Sequence, residues 1–351
     1  MTRLFPLESL ETLAGLCVFS AMKHLVSLVG LSYAIMHSSP PEIVHKSLPD
    51  MLSFLSYMFH FQAVLTGPAC FYTDYMTWIN GTAAIGKDGK IEKPWHAVLK
   101  KLSQAILFMV LYVCFGDYFT PDIIIDKKYM ELNWVLWLFL LYIVMAFQRI
   151  PYYIAWTLAD AIFNMSGFGF GGYGSNGEPQ WDLVSNVKPW KVETALNFKE
   201  TLEAWNCCTM YWLRRVAYDR APKGYRTLST YLLSAVWHGF FLGYYVTFLT
   251  GALFTVSART ARRCLRRHFQ GSEFSRRSYD LLTFAATKIT LSYTTYPFVM
   301  LHLGPGLYFY RNMYFCLHFV ALGAIFMLPR ILPPEAKKVQ TENIKELKNL
   351  S

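Results

Sequence analysis

LNWVLWLFLLYIVMAFQR, residues 132–149, decides the fold: it is an apolar run about as long as an α-helix needs to cross a bilayer core. Runs of the same kind lie at 12–36, 102–119, 151–166, 229–256, 280–301 and 307–329. Segment 51–72 is also apolar but is interrupted by Gly67-Pro68, which fits a re-entrant or bent helix as well as a full span. The pattern predicts an all-α, polytopic transmembrane helical bundle with seven to nine membrane-embedded helices.

Composition supports the same reading. Hydrophobic residues make up 54% of the 351 and charged residues only 16%, with a mean hydropathy of +0.25, too little charge to keep a soluble surface of this size wetted. The aromatic fraction of 17% suits Trp and Tyr anchoring helix ends at the lipid interface. The first apolar run is too long for a secretory signal and carries Lys23 and His24, so it is expected to stay in the mature protein. Residues 1–329 read as one membrane-embedded domain, and 330–351 as a polar, flexible tail after Pro329, Pro333 and Pro334 stop the last helix.

The net charge of +10 is concentrated. Arg259, Arg262, Arg263, Arg266, Arg267, Arg276 and Arg277 follow the 229–256 run, and the positive-inside rule puts their loop in the cytosol. A second cluster, Arg214, Arg215, Arg220, Lys223 and Arg226, precedes the same run. Beside apolar spans such clusters point to anionic lipid heads or a phosphate-bearing co-substrate rather than to nucleic acid. Seven cysteines, with no CxxC pair, support neither a disulfide framework nor a zinc site, and read as buried small hydrophobes. The sequons at Asn80 and Asn164 read as chance matches.

Polar residues inside apolar runs are costly and ask for a reason. Ser234-Ala235-Val236-Trp237-His238-Gly239-Phe240 sets an imidazole about a third of the way along the 229–256 run. Such a group can act as a general base, or it can be a core histidine bonded to a neighbouring helix. Gly239 and Gly243 are expected to leave room beside it for a substrate. His24, His60 and His318 occupy comparable settings, so position alone does not single out His238. Asn206, in Trp205-Asn206-Cys207-Cys208, opens an interfacial stretch; its amide either serves an active site or ties two helices together. GFGFGGYG (167–174) lacks the preceding strand and the Lys-Ser/Thr of a phosphate loop, and reads as a tight irregular turn. Asp160 is a buried carboxylate that either pairs with a base or bonds helices together.

FQAVLTGPACFYTDYMTWINGTA (61–83), YYIAWTLADAIFNMSGFGFGGYG (152–174), WDLVSN (181–186), WNCCTMYWLRRVAYDR (205–220), LSAVWHGFFLGYYVTFLTG (233–251) and YTTYPFVML (293–301) occur in that order. In order and spacing they resemble the membrane-bound O-acyltransferase family, within it the lysophospholipid acyltransferases, most of all the branch acting on lysophosphatidylserine and lysophosphatidylethanolamine. The resemblance covers most of residues 50–320 and implies helices enclosing a substrate chamber. It further implies transfer of an acyl group from acyl-CoA, a co-substrate and not a resident cofactor, to the free hydroxyl of a lysophospholipid. Lysophosphatidylcholine is a third acceptor it admits. His238 and Asn206 match the family's active-site pair, and Asp160, Trp237, Gly239 and Gly243 are expected at the chamber. Arg214, Arg215, Arg220 and Lys223 are expected to hold the CoA phosphates, with no metal involved. Residence in the endoplasmic reticulum membrane follows from the same resemblance. Family members carry additional spans before the region equivalent to residue 20, which residues 1–20 do not resemble. The alternatives are a same-fold acyltransferase for a protein or sterol, and a non-catalytic lipid-binding or transport protein; the chain lacks the internal repeat a transporter is expected to show.

Overall fold

The computed structural model describes residues 49–62 and 68–334, which fold as helices and connecting turns. No strand forms among them, only isolated antiparallel bridges at Ile85–Ile91 and Tyr173–Pro179. The expected span 12–36, with Cys17 and His24, lies outside the described residues, as do Gly67 and the tail from 335 onward.

Two short helices, α1 (Met51–Met58) and α2 (Tyr72–Ile79), come first. Because α1 stops at Met58 and α2 starts at Tyr72, segment 51–72 is not one full span. Two long helices follow, α3 (Trp95–Phe115) and α4 (Trp134–Met165), packed along each other. Both are long and apolar enough to cross a membrane, α3 together with the short turns that extend it to Ile125. Leu99, Ile106, Val110 and Val113 on α3 and Val135, Leu136 and Phe139 on α4 face outward, an arrangement suited to lipid rather than water.

The separate spans expected at 132–149 and 151–166 are one helix. Pro151 lies inside α4 without ending it. A membrane helix tolerates proline where neighbouring groups satisfy the carbonyl that loses its partner.

Short helices then fold back beside this pair: α5 (Pro189–Thr194), α6 (Phe198–Ala204) and α7 (Cys207–Leu213), the last running into one π-helical turn, Arg214–Tyr218. Next come α8 (Arg226–His238), α9 (Leu242–Leu265) and α10 (Glu273–Met300). The expected 229–256 run is therefore divided between α8 and α9. Helices α11 (Leu303–Asn312) and α12 (Cys316–Phe326) follow. The 307–329 run is not straight: α11 and the segment Cys316–Ile331 meet at a 73° bend, where Tyr314 and Phe315 both have φ of 50°. Pro329 sits in the first turn of the closing helix Leu328–Ile331 and starts it rather than stopping the preceding one.

Among the described residues two helices, or three if the bent pair forms one span, satisfy the length and apolarity of a membrane crossing; the seven to nine embedded helices expected include the 12–36 run, which lies outside them. Helix α10 is long enough, but its C-terminal half carries Thr287, Lys288, Ser292 and Thr294, all buried against neighbouring helices. The main core joins Leu141, Val144 and Met145 of α4 to Phe254 of α9, Tyr293 and Tyr296 of α10, and Phe309 and Tyr310 of α11. A buried ion pair fastens α4 to α5: Arg149 donates from Nε to Glu193 Oε1 at 2.8 Å and from Nη2 to Glu193 Oε2 at 2.7 Å. Tyr153 donates to the same carboxylate at 2.6 Å, and Lys288 of α10 donates to the Val192 carbonyl at 2.7 Å.

Candidate active site

His238 is the last residue of α8 rather than a mid-helix residue. The helix stops because Gly239 adopts φ 122° and ψ −162°, a conformation barred to residues with a Cβ. Its N–H still closes the last turn, to Ala235 O at 3.2 Å and Val236 O at 3.1 Å. Three residues later the chain re-enters a helix at Leu242. The WHG motif is therefore a helix break that places an imidazole at a chain turn.

Four aromatic rings surround that imidazole. Buried Trp237 contributes one, its centroid 4.6 Å from the His238 ring. Phe248 of α9 stacks at 4.9 Å, Tyr244 lies at 5.6 Å, and Phe298 of α10 approaches edge-on at 5.1 Å. Gly243 does not make room for a substrate, contrary to the expectation from sequence. Its N–H donates to Leu301 O at 2.8 Å, and a Cβ there would collide with the carbonyls of Pro297 and Leu301. Gly243 instead lets α9 press against the end of α10, and that contact brings Phe298 to His238. Leu301 itself has φ of 60°, a strained value for leucine.

Asn206 stands at the N-cap of α7 with φ 50° and ψ 48°, a left-handed conformation that asparagine tolerates better than most residues. Its side chain makes no cap hydrogen bond. The cap comes from Asn186, whose backbone carbonyl accepts from Cys207 N at 2.7 Å and whose Oδ1 accepts from Cys208 N at 3.2 Å. Asp160 belongs to the support of this loop. It pairs with Lys101 of α3 at 2.8 Å and accepts from Ser185 Oγ at 2.5 Å. Lys101 also donates to Trp181 O at 2.5 Å, and Asn164 Nδ2 donates to the same carbonyl at 3.2 Å. Asn164 is fully buried, which excludes its sequon from glycosylation. Sequence reasoning missed Lys101, Ser185 and Asn186. The one signal for the last two is that WDLVSN belongs to the recognisable pattern.

The basic residues divide. Arg220 Nε donates to Arg215 O at 2.8 Å and Arg215 lies over the Phe71 ring at 5.0 Å, so both help build the turn after α7. Arg214 pairs loosely with Asp219 at 3.8 Å, and Lys223 is exposed. A cavity of about 290 Å³ opens beside α7, between Asp182, Ser185, Lys188, Glu203, Cys207, Cys208 and Tyr211. The GFGFGGYG stretch is irregular as expected, with positive φ at Gly167 and Gly172. Cys207 and Cys264 are buried but Cys114 is exposed, so burial does not hold for every cysteine.

His318 and His60 occupy other surroundings. His318 bonds Tyr293 OH through Nδ1 at 2.7 Å and Thr250 Oγ1 through Nε2 at 3.3 Å. His60 Nδ1 lies 2.7 Å from Tyr57 O.

The profile of the membrane-bound O-acyltransferase family matches residues 12–303. Among curated relatives, the chain is 39% identical to membrane-bound glycerophospholipid O-acyltransferase 2 of Rattus norvegicus, over 84% of the chain and 59% of that protein. It is 36% identical to lysophospholipid acyltransferase 6 of Drosophila melanogaster, over 85% of the chain and 43% of that protein. It is 33% identical to the lysophospholipid acyltransferase of Saccharomyces cerevisiae, over 83% of the chain and 51% of that protein. This chain belongs to the membrane-bound O-acyltransferase family. It spans between about two fifths and three fifths of the length of these relatives.

Proposed function

We propose that the protein transfers a long-chain acyl group from acyl-CoA to the free hydroxyl of a lysophospholipid in the endoplasmic reticulum membrane. The observation that carries this reading is the helix break at Gly239, which presents His238 at a turn among aromatic rings, in a chain whose relatives are named for glycerophospholipid or lysophospholipid acylation.

His238 accepts the proton of the lysophospholipid hydroxyl as that oxygen attacks the thioester carbonyl. A tetrahedral oxyanion forms, and Asn206 donates an amide N–H to it or orients the imidazole. Collapse breaks the C–S bond and releases CoA, whose sulfur takes the proton back from His238. Aromatic walls suit an acyl chain and keep out water, which would otherwise compete for the thioester. The pairing of Asn206 with His238 rests on their match to the family's active-site pair. Asn206 opens α7 and His238 ends α8, and the two helices touch. Arg214 and Lys223 are the basic side chains least committed to the turn and are the first candidates for the CoA phosphates, with Arg215 and Arg220 behind them.

The test is an assay in membranes with labelled acyl-CoA and a panel of lysophosphatidylserine, lysophosphatidylethanolamine, lysophosphatidylcholine, a sterol and a peptide acceptor. Labelled diacyl product from a lysophospholipid, lost in His238→Ala, supports the reading. Product on the sterol or peptide alone, or binding of lysolipid with no CoA-dependent product, overturns it.

A further inference from the structure

Asn206 occupies a helix N-cap yet leaves the capping to another residue. An N-cap asparagine ordinarily lies in extended backbone and turns its side-chain oxygen onto the second or third N–H of its own helix. Asn206 is left-handed instead and makes no such bond. Left-handed asparagines are usually rationalised by a local side-chain bond, and where backbone shape alone matters glycine serves better. An asparagine that adopts the strained backbone and forgoes its cap bond is placed for a use of its amide elsewhere.

Asn186 makes that possible. From 20 residues upstream it satisfies two of the orphan donors of α7, the N–H groups of Cys207 and Cys208, with its carbonyl and its side-chain oxygen. The chain just before Asn206 is held as well, by Lys188 N–H donating to Ala204 O at 2.9 Å. Both sides of Asn206 are thus fixed to one short segment, 186–188. Asn186 is 3% exposed, and the loop carrying it is anchored to α4 through Asp160 and Asn164 and to α3 through Lys101.

We propose that Asn186 is a positioning residue for the acyl transfer: as a surrogate cap for α7 it holds Asn206 left-handed and frees the Asn206 carboxamide for the reacting groups. The inference rests on the reading of Asn206 as an active-site amide. Asp160 and Lys101 form the next layer of the same support.

The experiment measures kcat and KM for acyl-CoA in membranes, at matched protein level, for Asn206→Gly, Asn186→Ala, Asn186→Asp and the double variant Asn186→Ala/Asn206→Gly. Asn206→Gly keeps the left-handed backbone and removes the amide, so turnover falls about 100-fold, the scale of one lost oxyanion donor. Asn186→Ala lowers kcat about tenfold with KM within twofold, as expected when only transition-state contacts are disturbed. Asn186→Asp keeps an acceptor at a helix N-terminus and restores kcat to within about threefold of wild type. The double variant is no slower than Asn206→Gly, because positioning is worthless once the positioned group is gone. Where Asn186→Ala fails to accumulate, Asn186→Ser, which withdraws the acceptor by one atom, is read in its place. If Asn206→Gly is impaired but Asn186→Ala and Asn186→Ser turn over normally, or if the two losses multiply, the positioning role is wrong and the active-site reading stands. If Asn206→Gly turns over like wild type, the active-site reading of Asn206 itself has failed.

Discussion

His238 and His318 are both imidazoles set among apolar helices, and what touches them differs in kind. His318 is held by hydroxyl groups: Tyr293 at one ring nitrogen and Thr250 at the other. Its ring also packs on Tyr310 and Phe315 inside the main core. His238 ends a helix at a glycine break, and its ring neighbours are Trp237, Tyr244, Phe248 and Phe298. A histidine with both nitrogens engaged by fixed hydroxyls is a cross-link. The proposed reacting imidazole stands at a chain break, with aromatic rings beside it. Immersion among apolar helices is common to both, and the ring neighbours and the local backbone are what separate them.

Three substitutions probe that contrast. The largest effect is expected for Gly243→Ala, whose Cβ would meet two backbone carbonyls of α10 and the turn after it. Backbone cannot repack as a side chain does, so the cost reaches about 3 kcal/mol, the upper end of overpacking penalties. Detergent-solubilised protein should lose both melting midpoint and activity, because Phe298 moves with α10. His318→Phe comes next. It strands the Tyr293 hydroxyl, at about 1–3 kcal/mol for a buried unsatisfied group, and leaves the Thr250 hydroxyl only its bond from Tyr310 at 3.5 Å. The melting midpoint should fall while kcat per folded molecule stays near wild type; a selective loss of kcat would erase the distinction between the two histidines. Tyr293→Phe removes one bond of that cross-link and should cost only ~0.6 kcal/mol, the average for such bonds between membrane helices. A melting curve indistinguishable from His318→Phe would show that the Tyr293 bond carries the whole link.

The long helices are legible because a continuous apolar run of spanning length can satisfy its backbone in lipid or in a protein interior only by coiling into a helix. Segments 102–119 and 280–301 fall within, or extend only slightly beyond, α3 with its short extension and α10. The errors have local physical causes. Pro151 reads as a boundary in a one-dimensional string, but a neighbour-packed membrane helix absorbs it. The break in 229–256 turns on the dihedral angles of Gly239, and one glycine in an apolar run is a weak signal. The 73° bend after α11 rests on Tyr314 and Phe315, aromatic residues with positive φ that carry no turn signature. At the candidate site, residue type and motif pick out His238 and Asn206. They do not pick out Asn186, since its contribution is a cap supplied across 20 residues of chain to a helix it does not belong to. Gly243 misleads for the opposite reason: a glycine next to a candidate base suggests open space, whereas here it marks a close backbone contact.

The most direct test sets His238→Ala beside His318→Ala in the same membranes, measuring acyl-CoA-dependent diacyl product per folded molecule by mass spectrometry, with melting midpoints in parallel. General-base help is typically worth about 10²–10⁴ in rate, so His238→Ala should lose at least about 100-fold in turnover with little change in midpoint. His318→Ala should show a lower midpoint and turnover within a few-fold of wild type. If His238→Ala makes product at near the wild-type rate, or if both variants lose turnover and stability alike, the assignment of His238 as the reacting imidazole is wrong.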